Sequence, residues 1–109
     1  MIEWEDFEKI DLRTGTIREA QINPDARKPA YVLKIDFGPM GERTSSAQIT
    51  RNYTPEDLVG KQIVAVMNFP TKRIAGVQSE VLVLGVLSDE KGVVLLEPTI
   101  PVENGAVIG

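Results

Sequence analysis

The residues best suited to bind a ligand are two adjacent cations, Lys72 and Arg73, in the stretch NFPTKRIAGVQSEVLVL (residues 68–84). The pattern predicts that both lie in a turn between two strands, with Ser79 directly before the second strand. Cations in an exposed turn can contact phosphates and so fix the register of a nucleic acid on a protein. A solvated hairpin tip without a ligand is the alternative, and the turn residues taken alone favour it.

The distribution of charge indicates a local basic surface on an acidic protein. The chain of 109 residues has a net charge of −4, which argues against a nonspecific polyanion binder. Residues 43–79 nevertheless carry five cations and two acids, a net charge of +3, which leaves −7 for the remainder. Three further arginines could extend a phosphate-binding footprint: Arg13, Arg43 and Arg51.

The composition argues against catalysis. The chain contains no histidine and no cysteine, so the commonest general base and metal ligand, thiolate ligands and disulfides are all excluded. The acidic pairs at residues 56–57 and 89–90 lie beside turn signals and are interpreted as solvated charges. The nine glycines are scattered singly, so no phosphate-cradling loop is present. We therefore expect a protein that is not an enzyme and has no cofactor, metal site or catalytic residue.

Length and the first residues indicate the class of protein. A chain of 109 residues corresponds to one domain, and we expect residues 1–109 to form it. The opening stretch MIEWEDFEKI is acidic, whereas an export signal begins with basic and then apolar residues. The apolar stretches are far shorter than the roughly 20 residues that span a bilayer. We expect a cytoplasmic protein that does not insert into membranes.

The first ten residues predict a short amphipathic helix. Trp4, Phe7 and Ile10 recur every three residues among acidic neighbours. So short a helix does not persist alone, so it must dock on another surface. Trp4 and Phe7 either cover the core of their own domain or form part of a dimer interface, where aromatic residues are enriched.

The remaining pattern predicts a small all-β barrel. Three strand-like segments (13–22, 31–37 and 43–50) precede a helix with Thr54 as N-cap and Pro55 in its first turn. Further strands follow at 62–69, 80–87 and 91–98. Gly15, inside the first strand, predicts a bulge or a bend. This order predicts a five-stranded Greek-key OB-fold with a helix between strands 3 and 4, and an SH3-like barrel or an open sandwich is the alternative.

Four separated motifs carry a family resemblance: DLRTGTI (11–17), RKPAYVLKIDFG (27–38), SSAQIT (45–50) and NFPTKRIAGVQSEVLVLG (68–85). Together they resemble the CsaA proteins of the tRNA-binding-domain family over nearly the whole chain. The resemblance implies an OB-fold, a homodimer and a chaperone function linked to protein export. Relatives attached to aminoacyl-tRNA synthetases bind tRNA by its shape.

The resemblance also assigns roles to individual residues. Those that match the binding pattern of the tRNA-binding relatives are Asn68, Lys72, Arg73, Gly76 and Ser79. Ala75 stands where the relatives carry a further arginine, and residues 81–82 are Val-Leu where Gly-Met is usual. Both departures are typical of CsaA and make the turn less basic.

The predicted function is therefore a dimeric CsaA-like chaperone that binds unfolded or precursor polypeptides and can also bind tRNA or other RNA. A dedicated structure-specific tRNA-binding protein is the alternative, and a structural subunit without a ligand is a third possibility. Without an ATP motif, the chaperone would hold its clients by binding equilibrium alone. Met40, Met67 and Phe69 are candidates for an apolar peptide pocket, although Met67 also suits the core.

Overall fold

The structure, a computed structural model, describes residues 1–109. Neither of its two α-helices exceeds five residues, so no helix is long enough to cross a membrane. The elements follow in the order α1 (Trp4–Glu8), β1 (Leu12–Ile22), β2 (Tyr31–Asp36), a 3₁₀ turn (Gly38–Met40), β3 (Glu42–Ala47), α2 (Pro55–Leu58), β4 (Gln62–Val66), β5 (Lys72–Ile74), β6 (Val77–Ser79), β7 (Leu82–Val83), β8 (Gly85–Ser88) and β9 (Gly92–Leu95).

The main sheet has five antiparallel strands in the order β3-β2-β1-β4-β7. It curls until the segment around β6 and β7 lies beside β3, where the Glu80 N–H donates to the Thr44 carbonyl at 2.8 Å. This contact almost closes a barrel, with α2 between β3 and β4. The predicted five-stranded OB-fold, including its helix position, is confirmed. β5–β6 and β8–β9 form two separate two-stranded ribbons outside the main sheet.

The core follows the alternation of β2. Leu33 and Ile35 are fully buried, whereas Lys34 between them stays partly exposed. Gly15 lies inside the barrel wall, where a Cβ atom would come within 2.6 Å of the Phe37 ring. The glycine therefore makes room for that ring, while the bulge in β1 falls two residues later, between Ile17 and Glu19.

Helix α2 forms as its local sequence predicts, with Thr54 as the N-cap and Pro55 in its first turn. The Thr54 hydroxyl accepts a hydrogen bond from the Asp57 N–H at 3.2 Å, which caps the first turn. Leu58 is fully buried and anchors the helix on the barrel. Gly60 follows with a φ of +93°, a left-handed conformation that ends the helix.

The C-terminal arm, residues 102–108, lies along the first half of β1, where β2 does not pair. The Ile108 N–H donates to the Leu12 carbonyl at 3.0 Å, and Thr14 exchanges backbone hydrogen bonds with Gly105 and Ala106. A Cβ atom on Gly105 would lie 2.4 Å from the Phe37 carbonyl oxygen, so the arm requires a glycine there. The arm thus completes a strand edge that the main sheet leaves open.

Candidate nucleic-acid and polypeptide interface

The predicted basic turn is a strand in the structure. Ile74 pairs with Val77, so the β5–β6 turn consists of Ala75 and Gly76, with φ values of +46° and +82°. Such a two-residue turn with both φ values positive suits the twist of a hairpin. Lys72 and Arg73 therefore precede the turn within β5. Because neighbouring strand residues point to opposite faces, the structure separates the two cations that the sequence places side by side.

The ribbon is braced by the loop between β1 and β2. The buried side chain of Asn23 donates from Nδ2 to the Ala75 carbonyl at 3.4 Å. Its Oδ1 accepts from the Asp25 N–H at 3.0 Å, which fixes the start of the same loop. The contact holds Ala75 in a left-handed conformation that disfavours residues with a side chain. The loop and the ribbon are thus joined directly by a hydrogen bond.

One groove, the ribbon groove, lies between the β5–β6 ribbon and the barrel. It has a volume of about 520 Å³, and Phe69, Ile74 and Leu82 line it together with Lys72. Ser79 forms part of its buried wall, because the Ser79 hydroxyl accepts from the Ser46 N–H at 3.0 Å. The groove therefore combines apolar side chains with one cation, Lys72, and one acid, Glu80.

A second groove, the loop groove, lies on the other side of Ile74. Its volume is about 510 Å³, and it separates the β1–β2 loop from the ribbon. Arg27 and Lys28 line it and were not among the predicted binding residues. In the sequence, these two residues are adjacent cations in a proline-flanked loop, which could have predicted a binding role. Only the fold, however, places that loop beside the ribbon.

The cations of the chain fall into two classes. Of the 12 lysines and arginines, seven have an ion pair or a side-chain hydrogen bond: Lys9, Arg13, Arg18, Lys34, Arg43, Arg51 and Lys61. The other five make neither contact: Arg27, Lys28, Lys72, Arg73 and Lys91. Four of these five belong to the β1–β2 loop and to β5. The unpaired positive charge is therefore concentrated at one end of the barrel.

Arg13, a predicted phosphate contact, is bonded into the fold. Its Nε lies 2.7 Å from the Asp11 carboxylate, and its Nη1 donates to the Gly105 carbonyl at 3.0 Å. The side chain thus links β1 to the C-terminal arm. Arg13 lines neither groove.

Arg43 and Arg51 also donate to backbone carbonyls within the chain. Arg43 contacts the Met40 carbonyl at 3.3 Å, and Arg51 contacts the Glu90 carbonyl at 2.7 Å. The Arg51 contact attaches the β8–β9 ribbon to the barrel. Neither arginine lines the ribbon groove or the loop groove.

The side chain of Asn68 forms hydrogen bonds with the backbone that follows α1. Its Oδ1 accepts from the Asp11 N–H at 2.9 Å, and its Nδ2 donates to the Lys9 carbonyl at 2.7 Å. Both ends of the amide are therefore engaged. In this arrangement Asn68 positions the N-terminal segment against the end of β4.

The three predicted apolar pocket residues lie in different places. Phe69 is 56% exposed and lines the ribbon groove. Met67 is only 6% exposed and packs in the core, so its prediction as a pocket residue is wrong: a buried side chain offers no surface to a peptide. Met40 is partly buried against the core and lines neither groove.

Helix α1 does not cover the core of its own chain. None of its residues is buried, and Trp4 is 82% exposed. Trp4 and Phe7 instead line a shallow apolar depression with Ile2. The first of the two predicted docking modes, on the core of the same domain, is therefore wrong for this helix.

Away from the grooves, one carboxyl has a perturbed pKa. A hydrogen bond from Arg18, at 2.8 Å, and one from the Gly38 N–H hold the pKa of Asp36 below its ordinary value of 3.8. No group of three or more potential metal ligands comes together anywhere in the chain.

Comparison with known proteins gives three kinds of match. Residues 12–107 match the family model described as "Putative tRNA binding domain". The structure superposes on chaperone CsaA from Bacillus anthracis with a TM-score of 0.95 and 54% identity, covering 100% of this chain and 99% of that one. It superposes on the CsaA chaperone protein from Picrophilus torridus with a TM-score of 0.94 and 51% identity, covering 100% of both chains.

Methionine–tRNA ligases are similar over one part of their length. The Pyrococcus furiosus enzyme is 42% identical over 108 residues, which is 98% of this chain and 14% of the enzyme. In Flavobacterium johnsoniae the identity is 35% over 99% of this chain and 15% of the enzyme. The chain therefore spans only about 15% of the length of these relatives.

Proposed function

Because the chain belongs to the tRNA-binding-domain family, we propose that it is a dimeric chaperone of the CsaA type that binds unfolded or precursor polypeptides. The observation that carries this proposal is the likeness to two CsaA chaperones over the full length of both chains, at 54% and 51% identity. The ligases share only one segment with it. The protein acts by binding, without catalysis or a cofactor, in the cytoplasm and on polypeptides destined for export.

The ribbon groove is the proposed contact surface for polypeptide. Its exposed Phe69 and Leu82 offer apolar area, and Lys72 offers a positive charge that is not paired with Glu80, the acid of the same groove. An apolar floor with few polar groups tolerates many sequences, as a chaperone surface requires. Binding equilibrium alone drives the capture of a client.

The test measures equilibrium binding of a reduced, carboxymethylated protein that cannot refold, by fluorescence anisotropy without nucleotide. We expect binding, and we expect Phe69→Ala to weaken it about fivefold to tenfold because a large apolar contact is lost. Val59→Ala is the matched control, because Val59 is similarly exposed (52% against 56%) but lines neither groove. Absence of binding by the unmodified protein contradicts the proposal.

The proposed dimer interface includes Trp4 and Phe7. A five-residue helix with no buried residue gains little from its own chain, and a second copy would cover its apolar side. We expect sedimentation at micromolar concentration to give twice the 12.0 kDa chain mass. Trp4→Ala should shift the protein toward the monomer, and a monomeric unmodified protein would contradict this interface.

A second function, tRNA binding, is favoured by a separate observation. Four of the five unpaired cations, Arg27, Lys28, Lys72 and Arg73, lie in two neighbouring segments at one end of the barrel. Loops at this end of an OB-fold bind oligonucleotides, and cations there can contact phosphates. Titration with unmodified tRNA over a series of salt concentrations tests this. Binding of tRNA without binding of unfolded protein would favour the dedicated tRNA-binding alternative.

A further inference from the structure

The barrel closes through a short seam between β3 and the segment that follows β6. One backbone hydrogen bond joins Glu80 to Thr44. Side chains supply the other seam contacts, since the Thr44 N–H donates to the Glu80 carboxylate at 3.0 Å and the Ser45 hydroxyl donates to the Val81 carbonyl at 3.0 Å. The seam is therefore held at one end by a few bonds and not by a continuous ladder.

Beyond this point the two walls separate. No backbone hydrogen bond joins residues 46–49 to residues 82–85, and a gap of about 360 Å³ lies between them. We call this gap the open seam. Seven of its ten lining residues are hydrophobic, and none of the ten is charged. The apolar lining includes Ile49, Leu82, Val83, Leu87 and Val93.

One wall of the open seam presents an unpaired backbone edge. The N–H groups of Thr44 and Ser46 point toward the seam, where side chains accept them. Because the N–H and carbonyl of one strand residue point to the same side, the Ser46 carbonyl also faces the seam, and the N–H of Gln48, the first residue after β3, comes next along this edge. Neither group has a hydrogen-bond partner at the seam. An unpaired strand edge of this kind is a template for a further strand.

On the opposite wall, the backbone groups of Leu84 are already satisfied. The Leu84 N–H donates to the Val64 carbonyl at 2.9 Å, and the Leu84 carbonyl accepts from the Leu96 N–H at 3.2 Å. An entering chain would therefore find no free backbone group at Leu84, whereas Ser46 and Gln48 offer a carbonyl and an N–H on the β3 side.

We infer that the open seam binds an extended, apolar segment of polypeptide, which pairs as a strand with Ser46 at the end of β3 and with Gln48 directly after it. Main-chain hydrogen bonds supply sequence-independent affinity, and the gap receives alternate side chains. A nucleic acid does not suit the gap, because no cation lines it to meet a phosphate. The inference rests on the proposed polypeptide binding and specifies strand addition as the way in which the polypeptide binds.

The first test compares two neighbours in β8. Leu87 lines the open seam and is 83% exposed, whereas Val86 is 52% exposed on the opposite face and does not line it. The probe is a fluorescent peptide of alternating valine and threonine, measured by anisotropy. We expect Leu87→Asn to weaken binding about tenfold and Val86→Asn to change it less than twofold. Sedimentation of both variants follows, and a change of mass in Leu87→Asn overturns the inference by assigning Leu87 to a contact between copies.

The second test needs no variant and so does not depend on folding. Two versions of the peptide carry N-methyl groups on alternate amides, one version on the odd positions and one on the even positions. Pairing with a single edge predicts that one version loses binding and the other retains it. Amide hydrogen exchange at Gln48 should also slow when the unmethylated peptide is bound.

The outcomes separate this inference from the proposed function. If the unmodified protein binds the peptide but both methylated versions bind equally and Gln48 exchange is unchanged, strand addition is wrong and polypeptide binding stands. If neither this peptide nor the unfolded protein binds, the proposed function fails and this inference fails with it. Loss of binding with one methylated version, together with protection of Gln48, supports strand addition.

Discussion

Arg13 and Arg27 illustrate two regions of the molecule that use the same side chain differently. Arg13 bonds to the Asp11 carboxylate and the Gly105 carbonyl, whereas Arg27 lines the loop groove with no partner. A cation that is bonded into the fold contributes to stability and has fewer donors to offer a ligand. An unpaired cation contributes little to stability and is available to a phosphate.

The difference arises from where acceptors lie. Near β5, the closest acid in sequence, Glu80, accepts from the Thr44 N–H and is not paired with Lys72. At the start of β1, the C-terminal arm brings a carbonyl to Arg13 across 92 positions of sequence. Counting charges along the chain cannot separate these two cases, because the acceptors belong to distant segments.

The largest expected effect comes from removing cations that have no ion pair or side-chain hydrogen bond. Replacing Arg27, Lys28 and Lys72 together by glutamine should lower tRNA affinity on the order of 10²-fold at about 0.1 M salt. With fewer phosphate contacts, fewer counterions are released when the tRNA binds. The slope of log affinity against log salt should become shallower by about two to three. The free energy of unfolding, measured in urea, should stay within about 0.5 kcal/mol. An unchanged slope would show that these cations do not contact RNA.

Removing a cation that is bonded within the fold should affect stability and leave tRNA binding unchanged. Arg13→Ala should lower the free energy of unfolding by about 1.5–3 kcal/mol, since it removes hydrogen bonds from a charged group and loosens the C-terminal arm. Its salt dependence of tRNA binding should match that of the unmodified protein. Lys28→Ala, which removes an unpaired cation, is the control for urea unfolding. A change in salt slope with Arg13→Ala would contradict the division into two classes.

Within β5, Lys72 and Arg73 sharpen the comparison. Lys72→Gln should reduce the salt slope of tRNA binding by about 0.7–0.9, which corresponds to one phosphate contact. Arg73→Gln should reduce it by a different amount, because the two side chains lie on opposite faces of the ribbon. The measurement is the same salt titration with each single variant. Equal reductions would indicate that the ligand wraps around both faces.

The smallest effect concerns Arg18 and its partner Asp36. The pKa of Asp36 is lowered in the folded protein, so its contribution to stability is present above the ordinary value of 3.8 and is lost as pH falls through the folded value. Urea unfolding from about pH 5 to about pH 2 should therefore show a steeper loss in the unmodified protein than in Asp36→Asn. Parallel curves would show that this ion pair does not contribute to the stability of the barrel.

Several features of the fold follow from the local sequence. Alternation along β2 predicts its buried face, and Thr54 with Pro55 predicts the start of α2. Each depends on residues within a few positions of one another. The strand predicted at residues 80–87 instead divides into β7 and β8, because one part pairs with β4 and the other with β9. The position at which one predicted strand divides into two therefore depends on partner strands that are distant in sequence.

The sequence by itself determined the barrel class and the family, because periodicity, caps and motifs are local properties. Only the tertiary structure decided which side chains in and beside the segment from Asn68 to Ser79 are exposed and unpaired. It placed Met67 in the core, engaged both ends of the Asn68 amide, and brought Arg27 and Lys28 beside the ribbon. Whether a charge is free or bonded depends on acceptors that folding brings from elsewhere in the chain, and those are not visible along it.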